Sequence, residues 1–145
     1  MNTGELLKIK LLDENCKPYR AHETDSGLDL KARLVDETIL HPLETQVIPT
    51  GIAIELPKGY EAQIRPRSGL SKQGINTAFG TVDNGYRGEI KVTLTNASCS
   101  KVSIKEYERI AQLVVAPVIT PKIEYVDRLT PSERGENGHG STGKI

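Results

Sequence analysis

The chain has 145 residues, with 19 basic and 19 acidic side chains and a formal net charge of zero. This length fits one domain with a sizeable core, and the balanced charge argues against a groove that binds nucleic acid. No apolar run of about 18 residues predicts a membrane helix, and residues 1–10 lack the apolar region of a secretory signal. Cys16 and Cys99 lie far apart without metal-ligand spacing, which predicts free thiols in a cytoplasmic protein.

Apolar residues alternate with polar ones or form short runs rich in Val and Ile, and no amphipathic helix of ordinary length is present. Turns that contain glycine or proline separate these runs. The pattern predicts one helical turn within residues 68–74 and six strands, over residues 6–12, 28–34, 46–56, 60–65, 89–95 and 109–118. Many short strands between such turns are typical of an all-β sandwich or barrel.

The composition changes after Val126, because residues 128–145 are rich in Gly, Ser and Thr and contain only Leu129 as a large apolar residue before Ile145. Such a segment buries too little surface to fold alone, so a disordered tail is one interpretation. Residues 138–144, GHGSTGK, instead match the start of a phosphate-binding P-loop. A P-loop, however, requires a following helix whose N-terminus faces the phosphates.

Two segments carry groups suited to phosphate chemistry. Arg67, Ser68 and Gly69 combine a planar guanidinium with a bare backbone that an anion can approach, although a solvated corner is the plainer interpretation. Residues 78–92 are predicted to form a β-hairpin with Asp83 at or near its bend. This carboxylate is suited to deprotonate a water, but aspartate is also a very common turn residue.

Three further residues have both a structural and a functional interpretation. Tyr86 lies beyond the predicted bend, where cross-strand packing alone would account for it. Gln112 lies inside an apolar strand and requires a partner, which is either a backbone group or a ligand. Asp29 lies between two leucines and is explained by ordinary strand alternation.

In chain order these segments read SGLDL, PRSGL, GTVDNGYRGEI, RIAQL and RGENGHGSTG. Over about residues 24–144 they resemble the five motifs of the homotrimeric dUTP diphosphatases (dUTPases). The resemblance implies a jelly-roll-like β-barrel over residues 1–127, a flexible arm over residues 128–145, and a homotrimer whose copies share active sites. It also implies Mg²⁺-dependent hydrolysis of dUTP to dUMP and pyrophosphate, which keeps uracil out of DNA and supplies dUMP for dTTP synthesis.

The resemblance assigns a role to each motif. Asp83 would activate the water that attacks the α-phosphorus, and Asp29 would hold Mg²⁺ through its water shell. Tyr86 would pack beneath the deoxyribose, where a 2′-hydroxyl clashes. The arm would close over a neighbouring subunit's site, which explains a phosphate loop without a helix. The other implied substrate contacts are Arg67, Ser68, Gly69, Asn76, Phe79, Gly80, Val82, Lys91, Gln112, Arg134, His139, Gly140, Ser141 and Thr142.

The sequence departs from the family pattern at four positions. His139 stands where the family usually has a phenylalanine that stacks on uracil, and the single Phe79 lies in the predicted hairpin. We hypothesise that Phe79 supplies part of this aromatic cover, the alternative being that it is a core residue. Asn76 is one place away from the family asparagine, and Tyr107 replaces a glycine.

Three other functions compete with dUTP hydrolysis. A dCTP deaminase shares the implied fold but requires a glutamate where this chain has Thr93. A regulatory module would bind dUTP without turnover, whereas every expected catalytic position is filled. A purely structural β-sandwich would require five ordered motifs by accident. The expected partners are therefore dUTP and further copies of the chain, with no nucleic acid and no membrane.

Overall fold

A computed structural model describes residues 4–144. Residues 1–3 of the predicted domain and residue 145 of the predicted arm lie outside the described residues. The described part forms eleven short strands: β1 Lys8–Leu11, β2 Gly27–Lys31, β3 Thr38–Leu40, β4 Thr45–Pro49, β5 Ile52–Glu55, β6 Tyr60–Arg65, β7 Ile75–Thr77, β8 Gly80–Val82, β9 Lys91–Asn96, β10 Val102–Ile104 and β11 Arg109–Pro117. A five-residue helix, α1, spans Ser68–Lys72, and a 3-10 helix spans Glu14–Cys16. The all-β prediction is therefore confirmed.

The strands pair antiparallel in four small sheets. The largest has the order β2-β11-β6-β8, and a second has the order β4-β9-β7. The remaining pairs are β1 with β5 and β3 with β10. Their inner faces supply one core in which Leu30, Ile48, Leu94 and Leu113 are almost completely buried.

Alternation along the strands produces this core. In β9, Val92 and Leu94 are buried while Lys91 is exposed, as expected for a strand with one face on the core. Strand β11 lies between β2 and β6 and is therefore covered more fully. Its run from Ile110 to Val114 is buried except for Gln112, which is half-buried.

Two predicted elements differ from the structure. The strand predicted over residues 46–56 is two strands, because Gly51 has a φ of +71° and breaks the extended backbone after Thr50. The hairpin predicted over residues 78–92 is wrong in its pairing. Ala78 still donates its N–H to the Thr93 carbonyl, but β8 then leaves β9 and pairs with β6. Gly80 permits this because a Cβ there would lie 3.0 Å from Ile64 Cγ1.

After Pro117 the described chain contains no helix or strand, and nearly all its side chains are exposed. Val118 donates its N–H to the Gly59 carbonyl, which fixes the point where this segment leaves the barrel. The boundary between residues 127 and 128 stays a prediction. Across residues 4–144, no helix combines the length and apolar character needed to cross a bilayer.

Candidate active site

One cluster of predicted site residues surrounds Asp29 on β2. Its Oδ1 lies 3.1 Å from Arg67 Nε, and its Oδ2 lies 3.5 Å from Arg109 Nη1. Arg67 Nη1 also donates to the Arg109 carbonyl at 2.9 Å. The strand β2–β11 register places Asp29 opposite Gln112. The structure therefore brings the predicted residues Asp29, Arg67 and Gln112 together, and we call them, with Arg109 and Tyr19, the arginine cluster.

Gln112 has the backbone partner that its position in β11 requires. Its Nε2 donates to the Pro66 carbonyl at 2.9 Å, which ties β11 to the PRSGL segment. Gly27 allows this arrangement, since a Cβ there would overlap Gln112 Oε1. Ser68 and Gly69 begin α1 directly after Arg67 and are exposed.

Two residues of this cluster were missed by the sequence analysis. The guanidinium of Arg109 lies over the ring of Tyr19, 4.9 Å from its centroid. Tyr19 and Asp29 exchange backbone hydrogen bonds of 2.7 and 3.1 Å, so the ring and the carboxylate belong to one unit. The arginine that opens the RIAQL motif was the available signal for Arg109, whereas nothing near Tyr19 in sequence indicates a site.

Two polar clefts open beside the arginine cluster. One, of about 430 Å³, is lined by Tyr19, Asp29, Arg65 and Gln112. The other, of about 350 Å³, is lined by Arg67, Gly69, Tyr107 and Arg109 among others. Guanidinium forks facing open clefts are suited to phosphate oxygens.

A second cluster lies at the turn that follows β8, and we call it the aspartate turn (residues 83–90). Tyr86 donates its N–H to the Asp83 carbonyl at 3.0 Å, which closes the turn. Asp83, Tyr86, Gly80, Val82 and Lys91 line a cleft of about 230 Å³, together with Ile64, Thr81, Glu89 and Ile90. The structure thus brings five of the predicted site residues together here.

The aspartate turn is anchored at its beginning. Asn84 Nδ2 donates to the carbonyls of Pro57 and Tyr60, at 2.8 and 3.0 Å. Pro57 lies in the turn between β5 and β6 and Tyr60 begins β6, so the residue next to Asp83 is fixed to the barrel. The backbone of Asp83 is therefore held at the rim of the cleft, which limits the positions from which its carboxylate can accept from a bound water.

The aspartate turn is also anchored at its end by Glu89, another residue that sequence analysis missed. Its Oε2 accepts from Arg33 Nη1 at 2.9 Å and from the Gly51 N–H at 3.0 Å. Gly51 packs so tightly on Cys16 that an added Cβ would lie 2.7 Å from the sulfur. Burial, followed by the charge of Asp13, raises the pKa of the Cys16 thiol from 9.0 to about 11.

Asn76 and Phe79 do not line the cleft beside the aspartate turn. Asn76 is exposed on β7. Phe79 lies between β7 and β8 and its side chain is 62% exposed. The alternative that Phe79 is a core residue is therefore wrong, and its role as cover for uracil stays a prediction.

Within residues 4–144, no hydrogen bond or ion pair joins the predicted arm residues to the arginine cluster or to the aspartate turn. Arg134 Nε donates to the Asn137 carbonyl, and Ser141 N–H donates to the Gly138 carbonyl, so these contacts are internal to the arm. His139 and Gly140 both have positive φ, at 50° and 88°. Thr142 is exposed like its neighbours. The arm is thus folded into turns of its own, and its substrate contacts stay predictions.

The arginine cluster and the aspartate turn lie at opposite edges of the largest sheet. Asp29 is on β2 and Asp83 follows β8, with β11 and β6 between them. Three strand spacings of about 4.8 Å place them about 14 Å apart across the strands. Arg65 is level with Gln112 and Ala62 with Val82, three residues apart along β6, and Asp83 lies one residue beyond Val82, so the register adds four residues. The resulting separation over the sheet is about 19 Å at ~3.3 Å per residue.

A magnesium ion at Asp29 would have to be held through water. Within the described residues, no group of three His, Cys, Asp or Glu side chains is placed to hold a metal ion directly. Both Asp29 oxygens already face arginine, so a direct metal bond would disrupt these ion pairs. Mg²⁺ commonly keeps several waters and binds one or two carboxylates together with substrate phosphates. Asp29 can meet that requirement from the polar cleft.

The barrel, the arginine-lined clefts and the aspartate turn are suited to an enzyme that acts on a phosphorylated substrate. A family model described as dUTPase matches residues 14–143. The chain therefore belongs to the dUTPase family, as its motifs predicted. Its enzyme class is dUTP diphosphatase, which hydrolyses dUTP.

Curated relatives and solved structures agree with this assignment. A deoxyuridine 5'-triphosphate nucleotidohydrolase from Clostridium novyi (strain NT) is 50% identical over 143 residues, which cover 96% of this chain and 99% of the relative. One from Hydrogenobaculum sp. (strain Y04AAS1) is 46% identical over 142 residues, covering 96% and 98%.

Among solved structures, a mutant dUTPase of Staphylococcus bacteriophage 80alpha with dUpNHpp has a TM-score of 0.88 and 31% identity, covering 96% of this chain and 99% of that one. A mutant dUTPase from phage phi11 of S. aureus, described with a structural Mg(II) ion, has a TM-score of 0.79 and 27% identity, covering 87% and 99%.

Proposed function

We propose that Asp83 is the general base of the reaction and activates a water for in-line attack on the α-phosphorus of dUTP. The observation that carries this proposal is the anchored position of Asp83 at the rim of the cleft that Tyr86 also lines. A positioned base typically contributes about 10²–10⁴-fold to a rate. The attacking water gives its proton to Asp83, its oxygen bonds to the α-phosphorus, and pyrophosphate leaves.

The arginine cluster binds the triphosphate in this proposal. Arg67 uses Nε and Nη1 in its contacts with Asp29 and Arg109. Its Nη2 is therefore suited to a phosphate oxygen, because a guanidinium carries five N–H donors. Ser68, Gly69 and Gln112 supply further polar groups nearby. Mg²⁺, when bound, neutralises and orients the phosphate oxygens, and Asp29 would hold it through water.

Recognition of the nucleoside belongs to the aspartate turn and the strands around it. Backbone groups near Gly80 and Val82 would match the edge of uracil and leave polar groups unpaired against cytosine. The ring of Tyr86 would exclude a 2′-hydroxyl. Contacts of Asn76, Phe79 and Lys91 with the nucleoside complete this part of the proposal.

A homotrimer with shared sites would explain why the arginine cluster and the aspartate turn of one chain lie far apart. Along the sheet surface, about 19 Å separates Asp29 from Asp83, which is longer than the spacing of neighbouring phosphates in one nucleotide. Sites built from different copies remove this difficulty. The described chain also exposes large apolar side chains after the last strand, at Ile119, Ile123 and Tyr125, as expected of surfaces that another copy covers.

The arm would complete each site from a further copy. Arg134, His139, Gly140, Ser141 and Thr142 would contact the β- and γ-phosphates and the base once the nucleotide is bound. Hydrogen bonds to charged groups are worth about 1.5–3 kcal/mol each, so several of them offset the conformational entropy that a short segment loses when it becomes ordered. The reaction would take place in the cytoplasm.

One assay tests the reaction and separates it from its rivals. The protein is incubated with each dNTP and Mg²⁺, and both pyrophosphate and ammonia are measured. Pyrophosphate from dUTP alone is the expected result. Ammonia from dCTP would indicate deamination, and binding without product would indicate a regulatory module.

The role of Asp83 is tested by the isosteric change Asp83→Asn. We expect nucleotide binding to remain while turnover falls by about 10²-fold or more, measured by calorimetry and by pyrophosphate release. Turnover near that of the unaltered enzyme would refute the assigned role. Light scattering after size-exclusion chromatography gives the oligomeric state, and a monomer with full activity would refute the shared site.

A further inference from the structure

Glu89 is held on two sides although it lines the same cleft as Asp83 and Tyr86. Its carboxylate accepts from Arg33 Nη1 at 2.9 Å and from the Gly51 N–H at 3.0 Å, and its side chain is only 19% exposed. Both contacts use Oε2 and turn the carboxylate toward Arg33 and the β4–β5 junction. Glu89 is therefore placed to hold the loop and not to act as a second base.

The backbone of Glu89 contacts Tyr86 directly. Tyr86 donates its hydroxyl to the Glu89 carbonyl at 2.9 Å, which fixes the outer end of the ring. Gly88 lies beneath the same hydroxyl, since a Cβ there would lie 2.5 Å from Tyr86 Oη. The position of the phenol ring is therefore set by the segment from Gly88 to Glu89.

The residue after Glu89 is fixed as well. Thr50 Oγ1 donates to the Ile90 carbonyl at 2.6 Å, and Ile90 donates its N–H to the Ile52 carbonyl at 2.9 Å. The side chain of Glu89 contacts Gly51, which lies between the two partners of Ile90. Arg33 supplies the opposing charge from the segment that follows β2.

We propose that Glu89, held by Arg33, is a positioning residue for sugar selection, because it sets where the ring of Tyr86 lies beneath the nucleoside. This inference rests on the proposed role of Tyr86 in excluding a 2′-hydroxyl. A ring that is free to shift makes room for one added hydroxyl, so the preference for deoxyribose falls while the reacting groups stay in place. The loss is therefore one of specificity and not of general activity.

The test uses Glu89→Met, which keeps the length of the side chain but removes its acceptor, and Arg33→Met, which removes the opposing charge and leaves Glu89 in place. Arg33→Lys is the conservative rescue, and Glu44→Met is the matched control. Glu44 also accepts from a backbone N–H, that of His41 at 2.7 Å, but at the β3–β4 turn. Thermal unfolding at one protein concentration shows that each variant is folded.

The readout is the ratio of kcat/KM for dUTP to that for UTP, with the affinity ratio of dUMP to UMP from calorimetry as a second measurement. Glu89→Met and Arg33→Met should lower both ratios by roughly tenfold, the range expected for one small group in a pocket, mainly through KM. Arg33→Lys should recover most of the loss, and Glu44→Met should change neither ratio.

Unchanged ratios in Glu89→Met and Arg33→Met overturn the positioning role, as does an equal fall in kcat/KM for dUTP and UTP. An unaltered enzyme that shows no preference for deoxyribose in either measurement overturns it too. Failure of the unaltered enzyme to release pyrophosphate from dUTP refutes the proposed function instead, and the calorimetric ratio then decides the positioning role by itself.

Discussion

Replacing Gly51 by alanine tests how tightly the β4–β5 junction packs on the 3-10 helix. The new Cβ would lie 2.7 Å from both Cβ and Sγ of Cys16, and 3.3 Å from Asp13 Cβ. Forcing extra volume into a packed site costs about 1–3 kcal/mol. The φ of +71° adds a backbone cost of about 1–2 kcal/mol for any residue with a Cβ. We therefore expect Gly51→Ala to lower the free energy of unfolding by about 2–5 kcal/mol.

Gly59→Ala is the matched control for this prediction. Gly59 has a φ of +86°, but a Cβ there would meet nothing within 4 Å. Gly59→Ala should therefore lower the free energy of unfolding only by the backbone cost of about 1–2 kcal/mol. Urea unfolding of both variants at one protein concentration measures the difference. Equal losses in the two variants would refute the claim that contact with Cys16 makes Gly51 obligatory.

Three further outcomes are expected. Because burial raises the pKa of Cys16 from 9.0 to about 11, the unfolded chain ionises first, so stability should hold below pH 9 and fall between pH 9 and 11. Melting curves of Cys16→Ala should lack that part of the fall. Tyr107 donates to Asp13 Oδ2 at 3.0 Å, so Tyr107→Phe should lower the free energy of unfolding by about 1 kcal/mol. In an Asp13→Ala background the same substitution should lower it no further. Phe79→Ala should raise the KM for dUTP more than His139→Ala, and the reverse ranking rejects Phe79 as cover for uracil.

The longer strands were predictable from the sequence because each has enough residues to show its period. Strand β6 has the predicted bounds, and β11 ends one residue before the predicted end. Strands β3, β7 and β10 were missed, since three residues show neither alternation nor an apolar run, whereas β8 was predicted as an arm of the hairpin but with the wrong partner. Their partners lie far away in sequence, as with Val102 and Leu40, so pairing stabilises them where local propensity does not.

The site was predictable only as far as local motifs extend. Asp83 and Tyr86 belong to one turn, and their proximity follows from three residues of spacing. Glu89, in contrast, depends on Arg33, 56 residues away, so its contact required the folded chain. Tyr107 shows the same limit, because its positive φ of 61° explains the usual glycine there, while its hydroxyl contact with Asp13 crosses 94 residues.

The wide spacing of the arginine cluster and the aspartate turn has a genetic consequence under the proposed assembly. Changes at Arg67 and at Asp83 would fall in different catalytic centres although one gene encodes both. Two chains, each inactive alone, would then restore some intact centres when they are co-expressed. Complementation between alleles, and the partial dominance of a defective one, would follow from the distance between two edges of a single sheet.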